Sequence, residues 1–309
     1  VQKKDRYFLW GIGISVIGAL CFSSKAIFVK LGYAYSEADA ISLLAIRMLG
    51  SIPFFAVTAA IELHKADNRK KINKKDLLWI FIAGLLGYYL ASLLDFAGLQ
   101  FVSAALERLI LFIYPTLVLL ASRIFFGQHI EKTQWLAVLI TYLGILLAFV
   151  GEDGWSEDAH TSSTQELWTG ASLILGCAIA YAGYIVLSSK LIPAVGASLF
   201  NSLAMLAASA GVLIHYFFLG TQPLATMSSQ VWKYGLLMAI FATVIPSYLI
   251  AESIKRIGGG YTAIIASIGP LSTILMAYWW LAEPVTVWQM AGTVLILGGV
   301  WMITQQKQE

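Results

Sequence analysis

Charge is scarce in this sequence. Asp, Glu, Lys and Arg make up 12% of its 309 residues, 59% are hydrophobic, and the mean hydropathy is +0.78. Soluble globular domains are about 45–50% apolar and about 25% charged, so a water-soluble fold is excluded. Cysteine is scarce too. Cys21 and Cys177 both fall in apolar stretches, which leaves no disulfide framework and no clue to a redox compartment. There is no Gly-rich phosphate loop, no His/Cys cluster with metal spacing and no HExxH constellation. These absences argue against direct ATP hydrolysis and read as a protein that is not an enzyme and holds no cofactor and no metal. Nucleic acid has no support as a partner, because the lysine-rich stretch 64–76 is explained by membrane topology and anionic lipid.

What is present is apolar length. A helix needs about 20 mostly apolar residues to cross a hydrocarbon core of about 30 Å. Ten such spans are expected, near 8–32, 38–61, 77–98, 101–122, 133–151, 167–189, 195–219, 232–253, 261–282 and 286–304. The first is read as a retained helix, since its apolar part is too long for a signal peptide and no small-residue cleavage site follows. Basic loops stay cytoplasmic, so the 64–76 connection lies inside and both termini follow it. The acidic 152–166 connection then lies outside. The expected fold is therefore all-α, a multi-pass protein of the cell inner membrane whose partners are the lipid bilayer and a small-molecule substrate, acting as a monomer or homodimer.

Five spans per half means that a duplicated half inserts upside down. A shift of 155 residues places Pro115 on Pro270 and Gly144 on Gly299, and a shift of 158 places Trp10 and Gly18 on Trp168 and Gly176. The domains expected are a first repeat, 1–151, the connection 152–166, and a second repeat, 167–309. Inverted repeats are characteristic of secondary transporters, with a substrate site at the repeat interface.

A charge at the centre of a membrane helix costs about 2.5–3.5 kcal/mol on insertion scales, so each one needs a reason. Six qualify: Lys25, Arg47, Asp95, Glu107, Arg108 and Glu252. At about 1.5 Å of rise per residue, Lys25, Asp95, Glu107 and Arg108 share one outer layer, where Lys25 is expected to pair with Asp95 or Glu107 as a static lock or a switchable gate. Arg47 lies near the midplane, either satisfied at a packing seam or binding a substrate carboxylate or phosphate. Glu252 lies near the cytoplasmic end as a solvated acid or inner-gate group. Tyr88, Ser92 and Asp95 share one helix face, Ser103, Glu107 and Tyr114 another, and Tyr181, Tyr184 and Tyr248 add hydroxyl-bearing aromatics on further spans. Each tyrosine alone suits interhelix hydrogen bonding; the set suits a substrate cavity. Pro115 and Pro270 remove backbone bonds mid-span and are expected as paired kinks bordering that cavity.

The sequence also resembles the ten-helix EamA-type family of the drug/metabolite transporter superfamily, including its YddG-like exporters. The resemblance rests on Trp10–Gly11 with Lys25 fifteen residues after Trp10, on Arg47 in the second span, on the proline-bearing spans, and on "LAEPVTVWQMAGTVLILGGV" at 281–300. The first half departs from the pattern, with Glu131 as the acid behind its proline span. The resemblance implies a secondary transporter, with spans 1, 3, 4, 6, 8 and 9 around a cavity, 2 and 7 flanking it, and 5 and 10 peripheral. It points to export of an amino acid or related metabolite by alternating access. A carrier of drugs or organic cations, a carrier of phosphorylated metabolites, a channel and a membrane sensor or scaffold are the alternatives.

Overall fold

The computed structural model describes residues 2–34, 38–65, 73–127, 132–150, 164–220, 222–266 and 268–305. They form α1 (Gln2–Ala34), α2 (Ala40–His64), α3 (Lys74–Gly84, carried through a π-turn, Leu85–Leu90, into Ala91–Gly98), α4 (Ala104–Leu111), α5 (Tyr114–Phe126), α6 (Lys132–Val150), α7 (Thr164–Val195), α8 (Ala197–Leu219), α9 (Ser229–Ala239, a π-turn Ile240–Val244, then Ile245–Ala266), α10 (Gly269–Met276 with a π-turn Ala277–Leu281) and α11 (Val287–Gln305). The described residues contain no strand. The fold is all-α and built to cross a membrane many times. The connection at 152–163, the lysine-rich loop at 66–72 and Glu131 lie outside the described residues.

Local chemistry sets where the helices start. Asp39 accepts the Ser42 N–H at 2.8 Å, Asn73 and Asp76 form a capping box, and Ser103 and Ser228 accept the N–H groups of Leu106 and Val231. Seven helical runs among the described residues are long and apolar enough to span a membrane, and Trp135–Ala148 and Val287–Gly299 are apolar but shorter. Helix length alone thus gives fewer than ten crossings. The ninth expected span falls short because the chain breaks near Ile268 and restarts as α10. Pro270 sits in the first turn of α10 and Pro115 in that of α5, where a missing N–H leaves no bond unmade. The two prolines therefore open new helices after breaks, in place of the expected kinks in continuous ones.

Equivalent contacts recur between the halves. The packing of α1 on α9 has a counterpart in α3 on α7, that of α2 on α9 in α3 on α8, and that of α1 on α10 in α7 on α4 and α5. The remaining main pairs, α2 with α8, α4 with α10 and α6 with α11, are their own counterparts. Glycines sharpen the match. A Cβ on Gly18 would lie 3.3 Å from Leu249, and one on Gly176, its mate at a shift of 158, 3.3 Å from Leu94, the mate of Leu249 at 155. On the α6–α11 seam, Gly144 meets Gly292 and Ile296, while Gly299 meets the mates of those two residues, Ala137 and Thr141. Backbones touch there because no side chain intervenes.

Two ends of the bundle can be told apart. One carries the turn between α3 and α4, the other the turn at Gly196, whose φ of +86° suits glycine. Gly11, near the start of α1, packs on Ile257 toward the Gly196 end, and Gly170, near the start of α7, packs on Val102 at the opposite end. Equivalent contacts at opposite ends mean that one half is turned over relative to the other. The Ser253 and Thr262 hydroxyls lie 3.0 Å apart, whereas nine residues of straight helix would separate them by about 13.5 Å. The backbone therefore does not run straight between Ser253 and Thr262.

Candidate functional site

Four buried charges meet where α1, α3 and α4 pack. Lys25 Nζ lies 2.6 Å from Asp95 Oδ2 and 3.4 Å from Glu107 Oε1, so it bridges both acids where one or the other was expected. Glu107 is wholly buried and Asp95 nearly so, and Glu107 Oε2 has no hydrogen-bond partner among the described residues. Arg108 points to hydroxyls: its Nε donates to Thr273 Oγ1 at 3.1 Å and Nη2 to Ser23 Oγ at 3.4 Å, with its guanidinium over the Phe22 ring at 5.3 Å. By residue type the four are two bases and two acids. Ion pairs that are dry and paired hold helices together, and the same pairs loosen when water enters.

The α4 helix carrying Glu107 and Arg108 is pinned from the other half of the chain. Glu283 accepts the Ala104 N–H at 3.1 Å with each carboxylate oxygen and the Ala105 N–H at 3.4 Å. A carboxylate at a helix N-terminus meets unpaired N–H groups and the positive end of the helix dipole. This role was missed in the sequence, although the Ala-Glu-Pro that opens the quoted 281–300 stretch contains the residue.

Toward the Gly196 end lies a cavity of about 300 Å³, reaching from Phe22, Arg47 and Tyr88 to Ile192, Ala197 and Ala251. Of the expected cavity residues, Arg47, Tyr88, Tyr181, Tyr184 and Tyr248 line it. Ser92 stands behind, accepting from Arg47 Nη1 at 3.2 Å, and Tyr114 stands behind Tyr181, edge to face at 5.1 Å between centroids. The break between α4 and α5 interrupts the face that Ser103, Glu107 and Tyr114 were expected to share, and Ser103 serves as the cap of α4. Glu252 lies outside the lining and pairs with Arg256 at 2.7 Å. Neither Pro115 nor Pro270 borders the cavity; the π-turns in α3 and α9 do, through Tyr88 and Thr243. Those two turns begin at Leu85 and Ile240, positions 155 residues apart, and π-turns often occur at functional sites.

The lining differs from the expected ring of spans. Segments α2 and α8 contribute Arg47, Phe55, Ser198, Phe200, Asn201, Ser202 and Met205, while α4, α5 and α10 contribute nothing. The last three are committed instead to the charge cluster and to packing at the opposite end. Asn201 and Thr243 were missed, although Thr243 is the one polar residue in the apolar run 239–245 and Asn201 stands beside Ser202 in a mostly apolar helix. Tyr88 donates to Asn201 Oδ1 at 2.7 Å, so the 3.0 Å contact between Tyr88 and Tyr184 has Tyr184 as donor. Gly87 makes room for this, because a Cβ there would lie 2.3 Å from the Tyr184 ring. Tyr248 is fixed by hydrogen bonds to Thr58 and the Phe54 carbonyl.

A bundle of apolar helices, shut at one end by paired charges and hollow at the other around aromatic and hydrogen-bonding side chains, is built as a membrane transporter. The chain belongs to the EamA-like transporter family, which it matches over residues 9–150 and again over 168–305. It is similar to the uncharacterized transporter YcbK of Bacillus subtilis (strain 168), 33% identical over 310 residues, covering 98% of this chain and 94% of YcbK. It is also similar to the protein RarD of Salmonella typhimurium, 26% identical over 283 residues, covering 88% of this chain and 82% of RarD. A solved crystal structure shares the fold with a TM-score of 0.62 at 16% identity, covering 96% of this chain and 97% of that one.

Proposed function

We propose that this protein is a secondary transporter that exports a small organic metabolite, an amino acid or a related compound, across the inner membrane by alternating access. Its repeats are 1–151 and 167–309, joined by 152–166, and both termini are cytoplasmic. In that orientation the Gly196 end faces the cytoplasm, so the cavity is loaded from inside while the Lys25 cluster shuts the outside. The observation that carries this reading is the cavity itself, which is largely apolar and aromatic with a few hydrogen-bonding groups, lies between the two halves and reaches toward one end only. A carrier of phosphorylated metabolites is the second reading, favoured by the cation of Arg47 in the lining.

Counterflow in proteoliposomes tests the function. Vesicles preloaded with candidate metabolites, chosen by the thermal stabilisation they give the purified protein, are expected to accumulate the labelled compound transiently. Single-channel currents would identify a channel, and binding without counterflow would identify a sensor or scaffold.

A further inference from the structure

Among the described residues the buried bases, Lys25, Arg47 and Arg108, outnumber the buried acids, Asp95 and Glu107, and one base lies in the cavity. Lys25 bridges Asp95 and Glu107 at the shut end, and Arg108 is buried within electrostatic reach of the same two acids. Arg47, 4% exposed, lines the hollow without an ion-pair contact to a described carboxylate; Asp95 is within electrostatic range but is bound to Lys25 at 2.6 Å. Its Nε donates to Thr243 Oγ1 at 2.8 Å and its Nη1 to Ser92 Oγ at 3.2 Å, and its guanidinium lies over the Phe96 ring at 5.7 Å. Hydroxyls and a ring orient a guanidinium without neutralising it. Every other described lining residue is uncharged.

We infer that the cavity takes a small organic monoanion, a carboxylate on a flat apolar body, with its carboxylate on Arg47; this rests on the transport reading and narrows its substrate class. The guanidinium is a planar donor suited to carboxylate geometry, and a bound carboxylate evens the count of buried bases and acids. Tyr181 and Tyr184, stacked at 5.7 Å between centroids, supply a flat wall for the body of the ligand. The far group of the ligand meets Tyr88, Tyr184 and Asn201, which are neutral. An ammonium there has no counter-charge and is repelled by Arg47, so organic cations are excluded and a deaminated acid is favoured over its amino acid. A phosphate dianion leaves one negative charge unmatched by the single guanidinium in a site of low dielectric. A cavity of about 300 Å³ lies at the small end for ligand sites.

The test uses purified full-length protein and five compounds sharing one ring: 3-phenylpropanoate, its primary amide, 3-phenylpropylamine, phenylalanine and phenyl phosphate. Binding is read as ligand-dependent thermal stabilisation and as counterflow of the labelled compound. The acid is expected to bind the wild type at least about tenfold more tightly than the other four, and Arg47→Gln to weaken it by about ten- to a hundredfold, as for loss of hydrogen bonds to a charged group. Arg47→Lys is expected to retain part of the affinity. The wild-type comparison decides even if Arg47→Gln does not fold. Equal binding of the amide, the amine, phenylalanine or the phosphate, undiminished binding of the acid to Arg47→Gln, or binding of none of the five would overturn the inference. Counterflow of the amine would do so while upholding the transport reading. Binding of the acid without its counterflow would uphold the anion site and remove the transport reading.

Discussion

Two buried arginines in this protein are held in nearly the same way. Arg47 and Arg108 each donate Nε to a threonine hydroxyl and a terminal nitrogen to a serine hydroxyl, and each lies over a phenylalanine ring. Their surroundings differ. Arg108 lies within electrostatic reach of Asp95 and Glu107 at the shut end, whereas Arg47 faces a hollow whose other described lining groups are neutral. The same local chemistry therefore serves closure in one place and recognition in the other, with the neighbouring carboxylates deciding which. A buried cation whose counter-ions come from the protein fastens helices. One whose counter-ion comes from a ligand makes a site.

The largest expected effect is on the shut side of this comparison. Lys25→Met leaves Asp95 and Glu107 buried without their cation, which costs about 3–5 kcal/mol, read as a marked fall in the unfolding midpoint. Adding Asp95→Asn should recover part of that loss. An unchanged midpoint and unchanged transport in Lys25→Met would show that the cluster neither locks nor gates the bundle. Next comes the seam between α6 and α11, where Gly144→Ala and Gly299→Ala each place a methyl against backbone. Both should destabilise by about 1–3 kcal/mol, the usual cost of overpacking. A large loss at one and none at the other would break the equivalence of the halves.

Glu283→Gln keeps the shape of the α4 cap and removes its charge, with an expected cost of about 0.3–1 kcal/mol from the helix dipole. Because α4 carries Glu107, the end closed by the charge cluster should also open more readily, seen as faster thiol labelling of the native Cys177, which packs beside Ile110 and Ile174. The smallest effect is expected for Tyr88→Phe, which removes one hydroxyl and frees Asn201 Oδ1. About 0.5–1.5 kcal/mol should appear in binding of the acid more than in stability.

Much of this was legible because charge in an apolar run is costly and therefore informative. Lys25, Asp95, Glu107 and Arg47 could be picked out and placed by depth from helix rise alone, and the membrane fold follows from apolar length. What stayed hidden depends on helix rotation and on breaks. The π-turns in α3 and α9 leave no signature in the sequence, yet they carry Tyr88 and Thr243 at the cavity. The breaks before Pro115 and Pro270 remove Tyr114 from the lining and interrupt the ninth span. Asn201 and Glu283 were visible as residue types, but their partners, Tyr88 and the α4 N-terminus, lie about a hundred or more residues away in sequence.

The account turns on one hollow that is reached from a single end at a time. The direct measurement is labelling of Ser202→Cys, a cavity position, in a cysteine-free background, with a membrane-impermeant thiol reagent applied to each face of oriented proteoliposomes. The expected result is labelling from the Gly196 face in otherwise unaltered protein, with reactivity from the opposite face appearing once Lys25→Met loosens the closed end. Labelling from both faces before that change, or from the Gly196 face alone after it, would contradict the account.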